Sequence, residues 1–81
     1  MSVLFEEDVI WLAEACAIEE AETLSGLIAE HPQAVVDVSL CRLAHTAVLQ
    51  VLLGFAPHLR GDFVDAFLNK WVRAGLETAP R

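Results

Sequence analysis

The first half of this sequence contains no basic residue. Residues 1–41 carry nine Asp or Glu side chains and no Lys or Arg, so the formal net charge of −7 originates there. The five basic residues are scattered through the second half and form no stripe: Arg42, Arg60, Lys70, Arg73 and Arg81. Proteins that bind nucleic acid cluster Lys and Arg against the phosphates. The charge pattern therefore excludes nucleic acid as the expected partner.

Cysteine and glycine are also scarce. Cys16 and Cys41 are too far apart for a CxxC redox or zinc pair, and we expect two small buried thiols. Cys41 and His45 have a spacing that two metal ligands could share, but two ligands do not make a site. The four glycines form no Gly-rich phosphate loop. The sequence therefore predicts neither a metal nor a cofactor.

No apolar run is long enough to cross a membrane. The longest segment without Asp, Glu, Lys or Arg is residues 43–59. It is interrupted by polar residues and proline and falls short of the ~20 apolar residues that a membrane-spanning helix needs. The acidic start of the chain also lacks the basic segment of a signal peptide. We therefore expect a cytoplasmic protein that does not insert into the membrane.

Apolar residues are abundant, in contrast. Of the 81 residues, 56% are hydrophobic and 21% are charged, a composition that forms a core and excludes disorder. The length allows one domain, spanning residues 1–81. A domain of this size buries only about 60% of the surface of its unfolded chain. Some apolar side chains must then stay near water, which indicates a surface for a partner.

The hydrophobic pattern of the first half predicts a hairpin, a helix and a strand. Residues 3–5 and 9–13 read as two short strands joined by a polar turn. Helix 1 spans about residues 18–30, because apolar residues recur at helical spacing until Pro32. The β-branched segment 34–40 is a central strand with Val36, Val38 and Leu40 on its core face.

The second half reads as two helices. Helix 2 spans about residues 46–56, and a last helix begins with Asp62 as its N-cap and ends with Gly75 as its C′ residue. The tail, residues 76–81, has little to pack against. The expected fold class is a small single-domain α/β protein with a three- to four-stranded mixed sheet and about three helices.

Helix 2 is apolar on nearly all sides. One of its stripes can cover the sheet: Leu49, Leu52, Leu53 and Ala56. The neighbouring stripe has less obvious cover in so small a domain: Val48, Val51 and Phe55. We therefore expect this second stripe to be exposed and to bind a partner, which would also allow a homodimer.

The segment 34–53 has two short motifs at fixed places. Asp37-Val38-Ser39 lies in the predicted strand, and His45-Thr46-Ala47-Val48 opens helix 2 after a short apolar turn. This arrangement resembles the signature region of STAS domains, the fold of bacterial anti-sigma factor antagonists. That family has an Asp-Leu-Ser-like motif at the strand and Asp-Ser-x-Gly at the helix start. The resemblance extends backwards through the second strand and helix 1.

The resemblance implies a non-catalytic protein that binds a regulatory protein through the start and exposed face of helix 2. Thr46 matches the serine that is phosphorylated in the family. Phosphate there would change the surface by about −1.5 to −2 charges, at a helix start that favours anions. The candidate partner-binding residues are His45, Thr46, Val48, Val51 and Phe55. The structural alternative is that Thr46 only caps helix 2.

Two departures from the family pattern bear on the partner. His45 stands at the family's Asp and Val48 at its Gly, and only residues 57–60 are left for a strand between the last two helices. The resemblance implies either an anti-sigma kinase-like regulator, bound reversibly, or the ATPase of a bacterial lipid ABC transporter, bound permanently.

A small-ligand-binding protein or an enzyme is a more distant alternative. Asp37, Ser39 and His45 can be written as a hydrolase triad. However, the pattern gives no reason for His45 to lie between the other two side chains. A ligand-binding protein would also need a deep polar pocket, which the sequence does not indicate.

Overall fold

The computed structural model describes residues 2–78 of the 81-residue chain. The elements in chain order are β1 (Val3–Glu6), β2 (Val9–Cys16), α1 (Glu19–Glu30), β3 (Val35–Ala44), α2 (Thr46–Phe55), β4 (Leu59–Arg60) and α3 (Ala66–Thr78). The expected α/β fold class, with a mixed sheet of four strands and three helices, is confirmed. The strand between the last two helices exists, and it is two residues long.

The sheet is built in the order β1-β2-β3-β4. The β1–β2 hairpin is antiparallel, and β2–β3 and β3–β4 are parallel. Crossovers between parallel strands are right-handed. The chain passes from β2 to β3 through α1 and from β3 to β4 through α2, each time towards the same edge of the sheet. Helices α1 and α2 therefore lie on the same face. They pack against each other, and α3 also packs against α2. Helix α2 therefore contacts both of the other helices.

The core lies between the sheet and this helix layer. Each main element except the short β4 contributes buried apolar side chains. Val36 and Val38 are fully buried, as the sequence predicts, because alternate residues of a strand point to the same face. The other fully buried side chains of the sheet and helices include Ile10, Leu12, Leu24, Val48, Leu52 and Val72.

Strand β3 departs from the expected alternation after Asp37. Asp37 pairs with Trp11 but Leu40 pairs with Ala13, so β3 has one more residue than β2 in this stretch. Such a bulge turns the following side chains to the other face. Leu40 is consequently 54% exposed, and Cys41 takes the core position. The expectation that Leu40 faces the core is wrong, and β3 continues to Ala44.

Helix α3 differs from the expectation at both ends. It begins at Ala66, and the Asp65 Oδ1 atom accepts a hydrogen bond of 3.0 Å from the Leu68 N–H. Asp65, rather than Asp62, is therefore the N-cap. Gly75 lies inside the helix, and the next residue, Leu76, is buried. The expectation of a loose tail is wrong at Leu76, and residues 79–81 lie outside the described residues.

We expect Gly61→Ala and Gly26→Ala to change stability in opposite directions. Gly61 has a φ of +78°, and a Cβ atom there would lie 2.8 Å from the Ser39 Cβ. An alanine in this strained conformation should destabilise the protein by about 1–3 kcal/mol. At Gly26, inside α1, a Cβ atom meets nothing within 4 Å, and alanine should stabilise the helix by about 0.5–1 kcal/mol.

Urea unfolding of the two variants measures both effects. A stabilised Gly61→Ala variant would contradict the close approach of the β4 turn to Ser39.

Candidate functional site

The start of α2 is fixed by two hydrogen bonds of His45. The His45 N–H donates to the Cys16 carbonyl oxygen at 2.8 Å, which ties the turn to the end of β2. The His45 Nδ1 atom accepts a hydrogen bond of 3.0 Å from the Ala47 N–H. His45 also has the extended backbone conformation of an N-cap residue. The helix is therefore capped by His45, and the alternative in which Thr46 is the cap is wrong.

The Thr46 side chain is exposed at the first position of α2. Its hydroxyl makes no hydrogen bond within the part of the chain that the structure describes. It borders an open groove of about 410 Å³, whose other walls are His45 and small or apolar side chains of residues 15–17 and 43–44. A hydroxyl without a partner thus lies beside an apolar recess.

A second groove adjoins the first one. Its volume is about 450 Å³, and it shares Ala15 and Leu43 with the groove beside Thr46. Leu43 is 65% exposed and Val64, on the far wall, is 60% exposed. Both grooves lie at the carboxyl ends of the parallel strands β2 and β3, where open α/β sheets bind their ligands. We call the five residues Ala15, Leu43, His45, Thr46 and Val64 the sheet-end surface.

The charged residues around the second groove are solvated. The Arg42 Nη1 atom lies 3.9 Å from the Glu14 Oε2 atom. The two side chains are 71% and 76% exposed, respectively. An exposed pair of this kind contributes about 0–1 kcal/mol to stability. This pair next to the sheet-end surface therefore contributes little to the stability of the surface.

The expected strip of Val48, Val51 and Phe55 does not form one exposed surface. Val48 is fully buried, and Val51 is half-buried against the core. The reason is that α2 packs against both α1 and α3. Phe55 is 47% exposed, but it is the last residue of α2, about 13 Å along the helix axis from Thr46.

The sequence indicated His45 and Thr46 but missed the rest of the sheet-end surface. Leu43 follows the β3 bulge, so its exposure cannot be read from a simple alternation of residues. With Asp62 as the expected N-cap, Val64 falls inside the last helix, but α3 begins two residues after Val64. Ala15 carried no signal in the sequence. The high hydrophobic fraction of so short a chain was the only general indication.

Asp37 is the one buried carboxylate among the side chains that the structure describes, and it makes three hydrogen bonds. Its Oδ1 atom accepts from the Ser39 N–H at 2.9 Å and from the Ser39 hydroxyl at 2.6 Å. Its Oδ2 atom accepts from the Arg60 Nε–H at 2.6 Å. The Arg60 guanidinium also lies 4.9 Å from the centroid of the Trp11 ring. Asp37 thus joins β3 to the short strand β4.

These bonds set the ionisation of Asp37. Burial alone raises the pKa of its carboxyl, but the hydrogen bonds from Ser39 and the adjacent Arg60 outweigh burial and hold the pKa below its ordinary value.

The observed hydrogen bonds contradict a hydrolase triad of Asp37, Ser39 and His45. The Ser39 hydroxyl donates to Asp37, while the Nδ1 atom of His45 is bound to Ala47. The three side chains are therefore not arranged as a nucleophile, base and orienting acid.

The two cysteines are buried free thiols, as the sequence predicts. The contact with Cys41, together with burial, raises the pKa of the Cys16 thiol. Among the side chains of residues 2–76 there is no group of three or more His, Cys, Asp or Glu that could hold a metal ion. In the same part of the chain, no helix is both long enough and apolar enough to span a membrane.

Comparisons with protein-family models, curated proteins and solved structures find no match for this chain. Its function is therefore inferred from the arrangement of its own residues.

We expect the Asp37 hydrogen bonds to make stability depend on acid. Because the pKa of Asp37 is lowered in the folded state, its contribution is fully present above the ordinary Asp value of about 3.9 and is lost as the pH falls below that value. Asp37→Asn should destabilise the protein by about 1–3 kcal/mol at pH 7. It should also reduce the further loss of stability in acid.

Urea unfolding from pH 7 to pH 2 tests this expectation. Parallel stability curves for wild type and Asp37→Asn would show that Asp37 is not held ionised by these bonds.

Proposed function

We propose that this chain is a non-catalytic protein-interaction module of the STAS type, similar to an anti-sigma factor antagonist. It binds a regulatory protein in the cytoplasm through the sheet-end surface. The observation that carries this proposal is the state of Thr46. Its hydroxyl is exposed at the first turn of α2, is not used for capping, and borders an apolar groove.

The connectivity of the strands supports the resemblance to STAS domains. An antiparallel hairpin is followed by parallel strands joined through α1 and α2. Asp37-Val38-Ser39 lies on β3, and His45-Thr46 opens α2 directly after that strand. The first motif thus lies near the start of β3, and the second lies just beyond the carboxyl end of the same strand.

The charge that phosphorylation would add at Thr46 provides a physical basis for regulation. In its unmodified form the sheet-end surface contains one imidazole, one hydroxyl and three apolar side chains. A phosphate on Thr46 would add about −1.5 to −2 charges. The N-terminus of α2 tolerates this charge in the free protein. An apolar partner surface would have to desolvate it, and so phosphorylation releases the partner.

His45 favours a second candidate function. An imidazole stands where the STAS signature has a carboxylate, and it is already engaged as the helix cap. This supports a module that is bound permanently rather than switched, such as the accessory subunit of a bacterial lipid ABC transporter. Its partner would then be the transporter ATPase.

The partner class is identified by affinity purification of the tagged chain, followed by mass spectrometry. An anti-sigma kinase supports the first candidate, and an ABC ATPase supports the second.

We expect Thr46→Glu to weaken binding to that purified partner at least tenfold. The new carboxylate must be desolvated at the interface, and an unpaired buried polar group costs about 1–3 kcal/mol, or more when charged. Thr46→Ala should bind like wild type and keep its stability, because His45 supplies the cap. Isothermal titration calorimetry with the three proteins measures the difference.

Phe55→Glu is the matched control, since it introduces the same charge at the other end of α2. It should leave the affinity unchanged. If Phe55→Glu weakened binding while Thr46→Glu did not, the partner would bind at the carboxyl end of α2 and the proposal would be wrong.

A further inference from the structure

Helix α3 has an exposed aromatic face. Phe67 is 80% exposed and Trp71 is 47% exposed. Together with Lys70 and Ala74 they line a groove of about 300 Å³. The opposite side of α3 packs into the core through Val72 and Leu76. The outer face is thus a second apolar surface of α3, additional to the one that the fold uses.

The spacing of this face matches recognition by a helix. Residues 67, 71 and 74 are separated by four and three positions, so they form one stripe along α3. Exposed aromatic side chains of this kind are typical anchors at protein interfaces, because they bury a large area with few rotatable bonds. An amphipathic helix would present apolar side chains to such a stripe at the same spacing.

The charged side chains of α3 beside the groove indicate which charge a bound partner should carry. Of the described side chains, Lys70 is the only charged one that lines the groove. It makes no ion pair or hydrogen bond with its side chain among residues 2–78. Arg73, which precedes Ala74 in the sequence, is instead paired. Its guanidinium donates hydrogen bonds to the Asn69 Oδ1 atom and the Gly61 carbonyl oxygen, and it lies 3.6 Å from the Asp62 carboxylate. The groove therefore combines two aromatic side chains with one available cation.

We propose that the outer face of α3 docks an acidic amphipathic helix of a partner protein. Apolar side chains of that helix pack between Phe67 and Trp71, and one of its carboxylates pairs with Lys70. Charge complementarity favours this occupant over a second copy of the chain. Antiparallel pairing of two α3 helices through this stripe would bring the two Lys70 side chains together at the symmetry axis, which is unfavourable.

The test uses two synthetic helical peptides of about 18 residues, which is five turns. One has Leu on its apolar face and Glu elsewhere, and its matched partner has Lys in place of Glu. The protein is the full chain with Trp11→Phe, so that Trp71 is the only fluorescent indole. We expect the Leu/Glu peptide to shift the Trp71 emission to shorter wavelength in a saturable way, and the Leu/Lys peptide to leave it unchanged.

Three variants in the Trp11→Phe background locate the contact. Lys70→Glu and Phe67→Ala should each weaken binding of the Leu/Glu peptide at least tenfold. Arg42→Glu is the matched control, because it changes the net charge by the same amount at an exposed residue of the other groove. It should leave the affinity unchanged. Thr46→Glu should also bind the peptide normally, so this result is independent of the proposed function.

Several outcomes would overturn the proposal. The first is no emission change with the Leu/Glu peptide up to a concentration of ~1 mM. The second is an equal loss of affinity in Arg42→Glu and Lys70→Glu, which would indicate unspecific charge attraction. Self-association through Trp71, detected by sedimentation at increasing protein concentration, would assign the face to a second copy. A shift with anionic phospholipid vesicles but not with peptide would assign it to a membrane.

Discussion

The burial of α2 against the parallel strands β2 and β3 is the constraint on which the rest of the structure depends. This helix has no charged residue, and Val48, Leu49 and Leu52 all contribute to the core. Because α1 and α3 flank it, most of its apolar surface is used by the fold itself. What remains for a partner at its amino terminus is the turn after β3, with His45 as the cap and Thr46 beside an apolar groove. The position of the candidate site follows from the packing of the helix behind it.

The elements with a strong periodic pattern could be predicted from the sequence. Helix α2 ends within one residue of the expected bound, since His45 and Pro57 limit its apolar segment on both sides. Val36 and Val38 face the core as expected. The errors occur where tertiary contacts decide. Asp62 and Asp65 are equally good local caps, but Phe63 is buried and its N–H donates to Asn69, so the helix begins after Asp65. The β3 bulge, which exposes Leu40, also has no local signal.

The candidate site shows the same division. Its polar residues, His45 and Thr46, could be placed at a helix start from the order of strand, turn and helix. Their roles could not be assigned, because His45 and Thr46 are both compatible with capping until the Ala47 N–H is seen to donate to His45. The apolar part of the site, Leu43 and Val64, depends on the register of β3 and on the start of α3. The hydrophobic pattern of the sequence predicts neither the register of β3 nor the start of α3.

Native-state amide hydrogen exchange tests the central claim most directly, namely that α2 belongs to the core and leaves only its start for a partner. Regions that open only by global unfolding exchange with the full free energy of unfolding. The Val36 N–H, which donates to the His58 carbonyl oxygen, and the Leu52 N–H inside α2 should therefore show the same opening free energy, equal to that from urea unfolding. If Leu52 exchanged through a much smaller opening than Val36, α2 would detach from the sheet independently. The start of α2 could then not be the fixed binding surface described above.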